Sequence, residues 1–420
     1  MKVRNMVSVL LVPVIMACTV QISFAAEWGG SGAGTKDDPY LISSAADWSN
    51  FRTYVNGDAD GGAGEYWKLT EDIDFTDTNG NWGWIAAVGQ YNVGGQDDPA
   101  GGTMFKGNFD GDGHVIRNYT IPAGKINNTG THGAFGLFSA IGGNAVIENL
   151  GVENVSLNME ADYIYISAGA IAGFMTDNAV IRNCYSKSVD CNQRYAKGVY
   201  SAGGGIAGAM RGNSRIEKCY SRTFDEGTNY YQYGGIAGGV YSQGAVIQNC
   251  YSDTTIAEVI GAAWNNNWYG IYYLEGTVLP SDSGTYTGDG QTGNGYIGTT
   301  VSETDLKAVP NDLRANFIAD KDNTNDGWPI LRPLTVEMAR TADEVNDGRV
   351  GFYIEEMYLP AYNSFVVEYE DRTINYPKSE IVIAGDVDSN VTFGLQINDV
   401  PENYRNDISV SLSKREVSGK

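Results

Sequence analysis

Between residues 136 and 252 the chain repeats itself, and this constrains its fold more than any other feature. Residues 145–150 read Ala-Val-Ile-Glu-Asn-Leu, and residues 179–184 read Ala-Val-Ile-Arg-Asn-Cys. Residues 214–219 (Ser-Arg-Ile-Glu-Lys-Cys) and 245–250 (Ala-Val-Ile-Gln-Asn-Cys) follow the same pattern, and the last three copies continue with Tyr-Ser. The central Ile recurs at 147, 181, 216 and 247, at intervals of 34, 35 and 31 residues. A second word precedes each: Gly136-Leu-Phe138, Ile171-Ala-Gly173, Ile206-Ala-Gly208 and Ile236-Ala-Gly238. A divergent earlier copy, Val115-Ile-Arg-Asn-Tyr119, lies 31 residues before Ile147.

Each unit carries two short segments with apolar side chains at period two, separated by Gly and Asn turns, and no helical period of comparable length. One such unit cannot bury its apolar face alone, but stacked units share a continuous core. Stacking places Ile over Ile and Cys over Cys inside. Asn149, Asn183 and Asn249 then form a column at a turn, where Asn tolerates tight backbone geometry. Lys218 interrupts that column. The expected architecture is all-β: a right-handed parallel β-helix with short capping helices.

The repeats resemble the GLUG motif of bacterial surface proteins. Gly136-Leu137-Phe138 is a partial match to its Gly-Leu-hydrophobic-Gly word, and Gly205-Ile206-Ala207-Gly208 a drifted form. Residues 34–44, 66–74 and 105–116 resemble the opening strand and next two coils of that family, and residues 325–331 its closing strand. The resemblance covers about residues 28–332. It implies secreted, surface-associated proteins, sometimes attached to enzymes, for which adhesion is the usual suggestion. It supplies no catalytic residues to carry over.

The remaining organisation follows from local signals. Lys2 and Arg4, an apolar run from Met6 to Ala17, and Ser23-Phe24-Ala25 predict a signal peptide over residues 1–25. Lipoprotein processing at Cys18 is the alternative. Residues 26–75 read as an N-terminal cap with its first strands, and residues 76–332 as the solenoid with its closing segment. Residues 45–55, with Trp48, Phe51 and Val55 after Ser43 and Ser44, predict a helix over the open end of the solenoid. Residues 302–307 and 312–317 predict a helical pair at the far end, and residues 277–298 a long loop. After Pro333 alternating runs at 351–354, 364–369, 380–384, 391–397 and 408–412 predict an immunoglobulin-like β-sandwich over residues 333–420.

Charge narrows the partners. The net charge of −23 becomes −25 once Lys2 and Arg4 are removed. Such a surface repels nucleic acid and anionic lipid and favours cations. No further run reaches the ~20 apolar residues of a membrane span. Cys184, Cys191, Cys219 and Cys250 remain in the mature chain. Export permits two disulfides, yet three of these cysteines share one repeat position, where stacked free thiols serve as small apolar residues.

Nucleophilic chemistry is poorly supplied, because His114 and His132 are the two histidines of the chain. Asp72 with Asp74, and Asp110 with Asp112, are the carboxylate pairs a carbohydrate-cleaving β-helix could use. All four lie in words that the family resemblance explains as structural, and Asp-Gly is the ordinary turn dipeptide. No residue is therefore assigned to catalysis. For calcium, Asp110, Asp112, Asp320, Asp322 and Asp326 offer oxygen ligands at short spacing, without matching an EF-hand loop.

The most suggestive feature is aromatic. Tyr163 and Tyr165, Tyr195 and Tyr200, Tyr230, Tyr231 and Tyr233, then Trp264, Trp268 and Tyr269 fall between successive repeat words. Aligned along one edge, they suit sugar stacking or protein contact. Turned inward, they fill a wide coil. The expected function is adhesion or recognition of an extracellular glycan or cell-surface protein. A polysaccharide-active enzyme and a purely architectural surface component are the alternatives.

Overall fold

The computed structural model describes residues 28–76, 92–93, 104–121, 132–157, 159–160, 165–191, 193–194, 200–225, 232–254, 258–263, 268–274, 299–333, 335–340, 350–355, 364–369, 372–377, 392–397 and 408–413. Within these residues the repeats stack as a parallel β-solenoid. Three successive coils, 132–157, 165–191 and 200–225, carry four strands in the same order. In the middle coil these are Tyr165–Gly169, Ala172–Met175, Val180–Arg182 and Tyr185–Asp190. The register keeps Ile147, Ile181, Ile216 and Ile247 directly above one another. Each unit thus holds four strands where two segments were expected, because each recurring word straddles a corner.

The corner residues explain the words. Asn149, Asn183 and Asn249 adopt φ of 56°, 53° and 54°, and Lys218 follows them at 56°. A left-handed residue redirects the chain from one wall to the next, and Asn accepts that conformation at little cost. The amides also bond along the stack. Asn183 Nδ2 donates to Asn149 Oδ1 at 2.6 Å, and Asn149 Nδ2 donates to Asp110 Oδ1 at 2.8 Å. At the other word, a Cβ on Gly173 would lie 2.2 Å from the Phe135 nitrogen, so the neighbouring coils approach too closely for any side chain there.

Inside, the Ile column is joined by Leu150, Cys184, Cys219 and Cys250 and by Ile171, Ile206 and Ile236, all essentially inaccessible. Each such aliphatic side chain contributes roughly 1.5–3 kcal/mol on burial. The four described cysteines are free thiols. Burial pushes Cys184 and Cys219 well above the ordinary thiol value, which keeps them protonated and inert.

The cap helix runs Ala45–Gly57, with Ser44 as N-cap accepting from the Asp47 amide at 3.2 Å. Trp48, Phe51 and Val55 are buried. Phe51 and Trp48 meet Trp67, Phe105, Phe109 and Phe138 at ring separations of 5.1 to 6.2 Å, closing the first coil with an aromatic plug. At the far end Glu303–Lys307 is helical behind its Ser302 cap. The second expected helix is instead one 3-10 turn, Asn311–Leu313, after which Phe317–Ile318 pairs antiparallel with Ile330–Leu331. Phe317 must be extended there to lie on the outer wall of the solenoid.

Beyond it are two antiparallel sheets. One comprises Thr335–Glu337, Ser409–Ser413, Ser364–Tyr369 and Arg372–Pro377, the other Ala339–Arg340, Val350–Glu355 and Thr392–Ile397. Four of the five expected strands are present, and residues 380–384 lie outside the described residues. So do the expected signal peptide and the loop at 277–298.

Candidate ligand groove

Tyr185 and Tyr220 begin the strand after the corner, Tyr251 lies within the strand Val246–Ser252, and all three face outward, since the Cys before each and the Ser after it are buried inside. Parallel register stacks Tyr185, Tyr220, Tyr251 and Tyr272 into one column. Tyr185 lies on Tyr220 at 4.9 Å and 4°, and Tyr220 on Tyr251 at 5.1 Å and 8°. The closing segment, residues 317–333, lies over part of this column. Phe317, Trp328 and Leu331 pack with Tyr220 and Tyr251 in a cluster separate from the solenoid interior, and the Tyr251 hydroxyl donates to the Pro329 carbonyl.

An ion network holds that segment down. Lys187 and Arg222 occupy adjacent rungs of one outer column, which continues Arg117, Glu153, Lys187, Arg222. The two stacked cations would repel. Asp326 reaches both, at 3.3 Å from Lys187 Nζ and 3.0 Å from Arg222 Nη1. These two partners hold its carboxyl below the usual carboxylate range. Arg222 also donates to Asp253 at 2.9 Å, and its guanidinium lies 5.3 Å from the Trp328 ring centroid.

One coil earlier the cover ends and the column loses its side chain: the rung below Tyr185 is Gly151. A Cβ on Gly151 would lie 2.6 Å from three atoms of the Tyr185 phenol, so the ring leans into the space that glycine leaves. A groove of about 290 Å³ opens here between the wall and the closing segment. Gly113 and Gly151 form its floor, Tyr185 its aromatic side, and Asn149 and Asn183 one polar edge. Asn325, Leu331 and Arg332 contribute from the closing segment. The Tyr185 hydroxyl donates to Glu153 Oε1 at 2.9 Å. Burial, then Tyr220 and Glu153, push that phenol far above its ordinary value, so it remains a donor.

The charged groups around the groove are unevenly committed. Arg117 turns to Asp72 at 2.9 Å, Lys187 to Asp326, and Arg332 Nε to the Arg314 carbonyl at 2.8 Å. Glu153 forms no ion pair within 4 Å among the described residues, and Tyr185 is its hydrogen-bond donor. The geometry suits a small polar ligand beside an aromatic edge. Among the described residues the groove lining holds one carboxylate, Glu153.

The expected aromatic edge is rearranged. Tyr165 and Tyr200 share one register position, above His132. Tyr233 instead pairs with Gly203 and is buried in the interior cluster. Trp268 and Tyr269 belong to another wall, stacked by register on Ile247 and Gln248. These residues therefore do not form a single stripe. Tyr163, Tyr195, Tyr230, Tyr231 and Trp264 lie outside the described residues. Sequence reasoning passed over Tyr185, because Cys-Tyr-Ser reads as repeat filler. The signal was present in the Gly151 that replaces Tyr in the first clear copy.

The aspartates are engaged by the protein itself. Asp110 ends the Asn column, and Asp112 pairs with Lys68 at 2.8 Å. Asp74 ends a second column, accepting from Asn118, while Asp72 accepts from Arg117 and lies 3.2 Å from His114 Nδ1. Asp320 accepts from Thr324, Asn325 and Gly327 amides at 2.7 to 3.0 Å. Burial opposes its ionisation, but these amides together lower its pKa. Asp322 is exposed, and among the described residues no three metal-ligating side chains converge.

No family model matches the chain. Over 152 residues it is 32% identical to a candidate Gly-rich membrane protein of Evansella cellulosilytica, covering 35% of this chain and 14% of the relative. Halomucin of Haloquadratum walsbyi is likewise 32% identical over 152 residues, 36% of this chain and 1% of that protein. The chain thus matches a small fraction of the length of either relative. A solved structure of a candidate immunoglobulin A1 protease from Bacteroides ovatus aligns with a TM-score of 0.46 at 21% identity, over 72% of this chain and 94% of that one. Among the described residues no helix is long and apolar enough to cross a membrane.

Proposed function

We propose that this protein is a surface-displayed or secreted recognition module of the GLUG-motif kind, without catalytic activity, that holds an extracellular glycan or cell-surface protein against its solenoid wall. The observation that carries the reading is the groove beside Tyr185, which offers a fixed aromatic ring and amide edges without opposed carboxylates. Retaining and inverting glycosidases alike need two carboxyl groups across the scissile bond. Relatives described as a Gly-rich membrane protein and as halomucin support a place at the cell exterior.

The test is a glycan-array and cell-adhesion screen of residues 26–420, with and without calcium, followed by product analysis of every saccharide bound. Binding with the saccharide recovered intact is the expected result. New reducing ends or unsaturated sugars would replace this reading with that of a polysaccharide-active enzyme. Loss of binding to every glycan and cell type would leave an architectural protein.

A further inference from the structure

The two ends of the solenoid are fastened by different chemistry, and at the N-terminal end the fastening includes a carboxyl poorly served as an ion. We propose that Glu65 is a proton-operated latch for the cap helix. Its neutral carboxyl holds Ala45–Gly57 on the first coil, and its ionisation loosens that contact.

The latch lies where helix meets strand. Tyr54 is in the last turn of the helix, and its hydroxyl donates to Glu65 Oε1 at 2.6 Å. Glu65 is held by its backbone just ahead of the strand Tyr66–Leu69. Its amide donates to the Gly62 carbonyl at 3.1 Å, and its carbonyl accepts from the Asn108 amide at 2.9 Å. The rings of Trp28, Tyr40 and Trp67 pack with that of Tyr54 at centroid separations of 5.8 to 6.3 Å. The same helix carries Trp48 and Phe51 of the aromatic plug, so whatever loosens Tyr54 loosens the seal of the first coil.

The second oxygen of the carboxyl is not served at all. Glu65 Oε2 is buried and accepts no hydrogen bond from any described residue. Facing the carboxyl are Tyr54 and Asp58 from the helix and its C-cap, with Tyr40 of the first strand reaching the Tyr54 hydroxyl. The cations on adjacent elements are directed elsewhere. Lys68 pairs with Asp112 at 2.8 Å, and the Lys106 side chain runs beside Gly143 of the next coil. Arg52 lies two residues from Tyr54, on another side of the helix. Lys36, Asp37 and Asp38 of the leading segment are exposed. A buried charge with an unpartnered oxygen is costly, and a proton removes the charge while Oε1 still accepts from Tyr54. Burial accordingly raises the pKa of Glu65, the Tyr54 bond opposes that rise, and Asp58 adds to it.

Because the folded value lies above the unfolded one, about 4.3, the contribution of Glu65 is complete below that pH. It is lost as pH rises through the folded value. Asp47, at the other end of the helix, acts in the opposite sense. Burial opposes its ionisation, but bonds from Ser43 and Ser44 lower its pKa. Its contribution is therefore complete above about 3.9 and is lost only in stronger acid. The cap is tightest in mildly acidic solution.

The experiment compares the mature chain, residues 26–420, with its Glu65→Gln and Tyr54→Phe variants. Hydrogen exchange in peptides covering residues 45–57, corrected for intrinsic rates, is followed from about pH 5 to about pH 8. Peptides covering residues 165–191 serve as the internal reference. In the wild type the cap peptides should exchange at least twofold faster at the upper end of that range, while the reference stays flat. Glu65→Gln, uncharged and close in shape, should remove the dependence and keep the cap as protected as in the acidic wild type. Tyr54→Phe, which removes the donor that favours the ion, should strengthen the dependence. The Glu65 carboxyl carbon, followed by NMR in the wild type, should titrate above the ordinary Glu value. A flat wild-type cap, an equal slope in Glu65→Gln, or a carboxyl titrating at or below the ordinary value would each overturn the latch. The NMR titration needs no variant, so it decides the matter even where a substitution prevents folding.

Discussion

Tyr251 and Tyr185 occupy the same position in the same word, two coils apart on one wall, yet they belong to different environments. Tyr251 is fully buried under Phe317 and Trp328, whereas Tyr185 is half-buried at the rim of an open groove. The backbone, the stacking distance and the residue are alike, so the difference lies in what covers the column. A repeat fixes where side chains project. The non-repeating segment laid over it decides which of them become core and which remain available.

The largest test of this contrast is a pair of truncations. Tyr251→Ala should cost about 3–5 kcal/mol, as removal of a buried ring generally does. Tyr185→Ala should cost less than half as much, since its groove side is already open. Urea unfolding of both variants gives the comparison, and equal losses would show that the two tyrosines are both core.

Gly151→Ala attacks the boundary between the regions. Its Cβ would lie 2.6 Å from the Tyr185 ring, so the ring must shift or the strand must move. Overpacking of this kind costs about 1–3 kcal/mol. The accompanying change should appear in the Tyr185 ring resonances, with the Tyr251 resonances unmoved.

Acid should act on the closing segment before it acts on the coils. Asp320 and Asp326 have folded values below the ordinary aspartate value, Asp320 through backbone amides that outweigh its burial and Asp326 through Arg222 and Lys187. Their ionised forms therefore favour the docked segment fully above the unfolded value of about 3.9, and that contribution is lost as pH falls through the lower folded values. Hydrogen exchange in peptides covering residues 317–333 should stay flat from pH 7 to 5, once corrected for intrinsic rates. Protection should then fall below about pH 4, ahead of residues 165–191. Simultaneous loss in both regions would mean that the segment and the coils form one cooperative unit.

What could be read from the chain follows the same division. The coils were legible because Ile, Cys and Asn recur at fixed offsets, and register turns such recurrence into columns. The cap helix was legible from Ser44 and the spacing of Trp48, Phe51 and Val55. The second helix of the far end was not, because residues 312–317 have helical composition while Phe317 is extended against Tyr220 and Tyr251. Nor was the groove, since it depends on Asp326 lying beside Lys187 and Arg222 across more than a hundred residues of chain. Aromatic spacing alone misled: Tyr233 and Trp268 look equivalent in the sequence but fall in different walls.

The smallest expected effect returns to the coils. Lys218 holds φ of 56° where three other copies of the word have Asn, and it interrupts a column in which Asn183 bonds Asn149. A long side chain in the left-handed region is disfavoured by about 1–2 kcal/mol, a cost that Asn largely escapes. Lys218→Asn should therefore stabilise the protein by about 0.5–1 kcal/mol, because part of the gain is offset by whatever the Lys218 side chain now contributes at the surface. The substituted corner lies one rung from Asn183, which lines the groove, yet the backbone there is unchanged and glycan binding should not change. A stabilised protein with altered binding would mean that the corner column and the groove are mechanically linked. An unstabilised one would mean that the left-handed corner is set by the stack and not by the residue that occupies it.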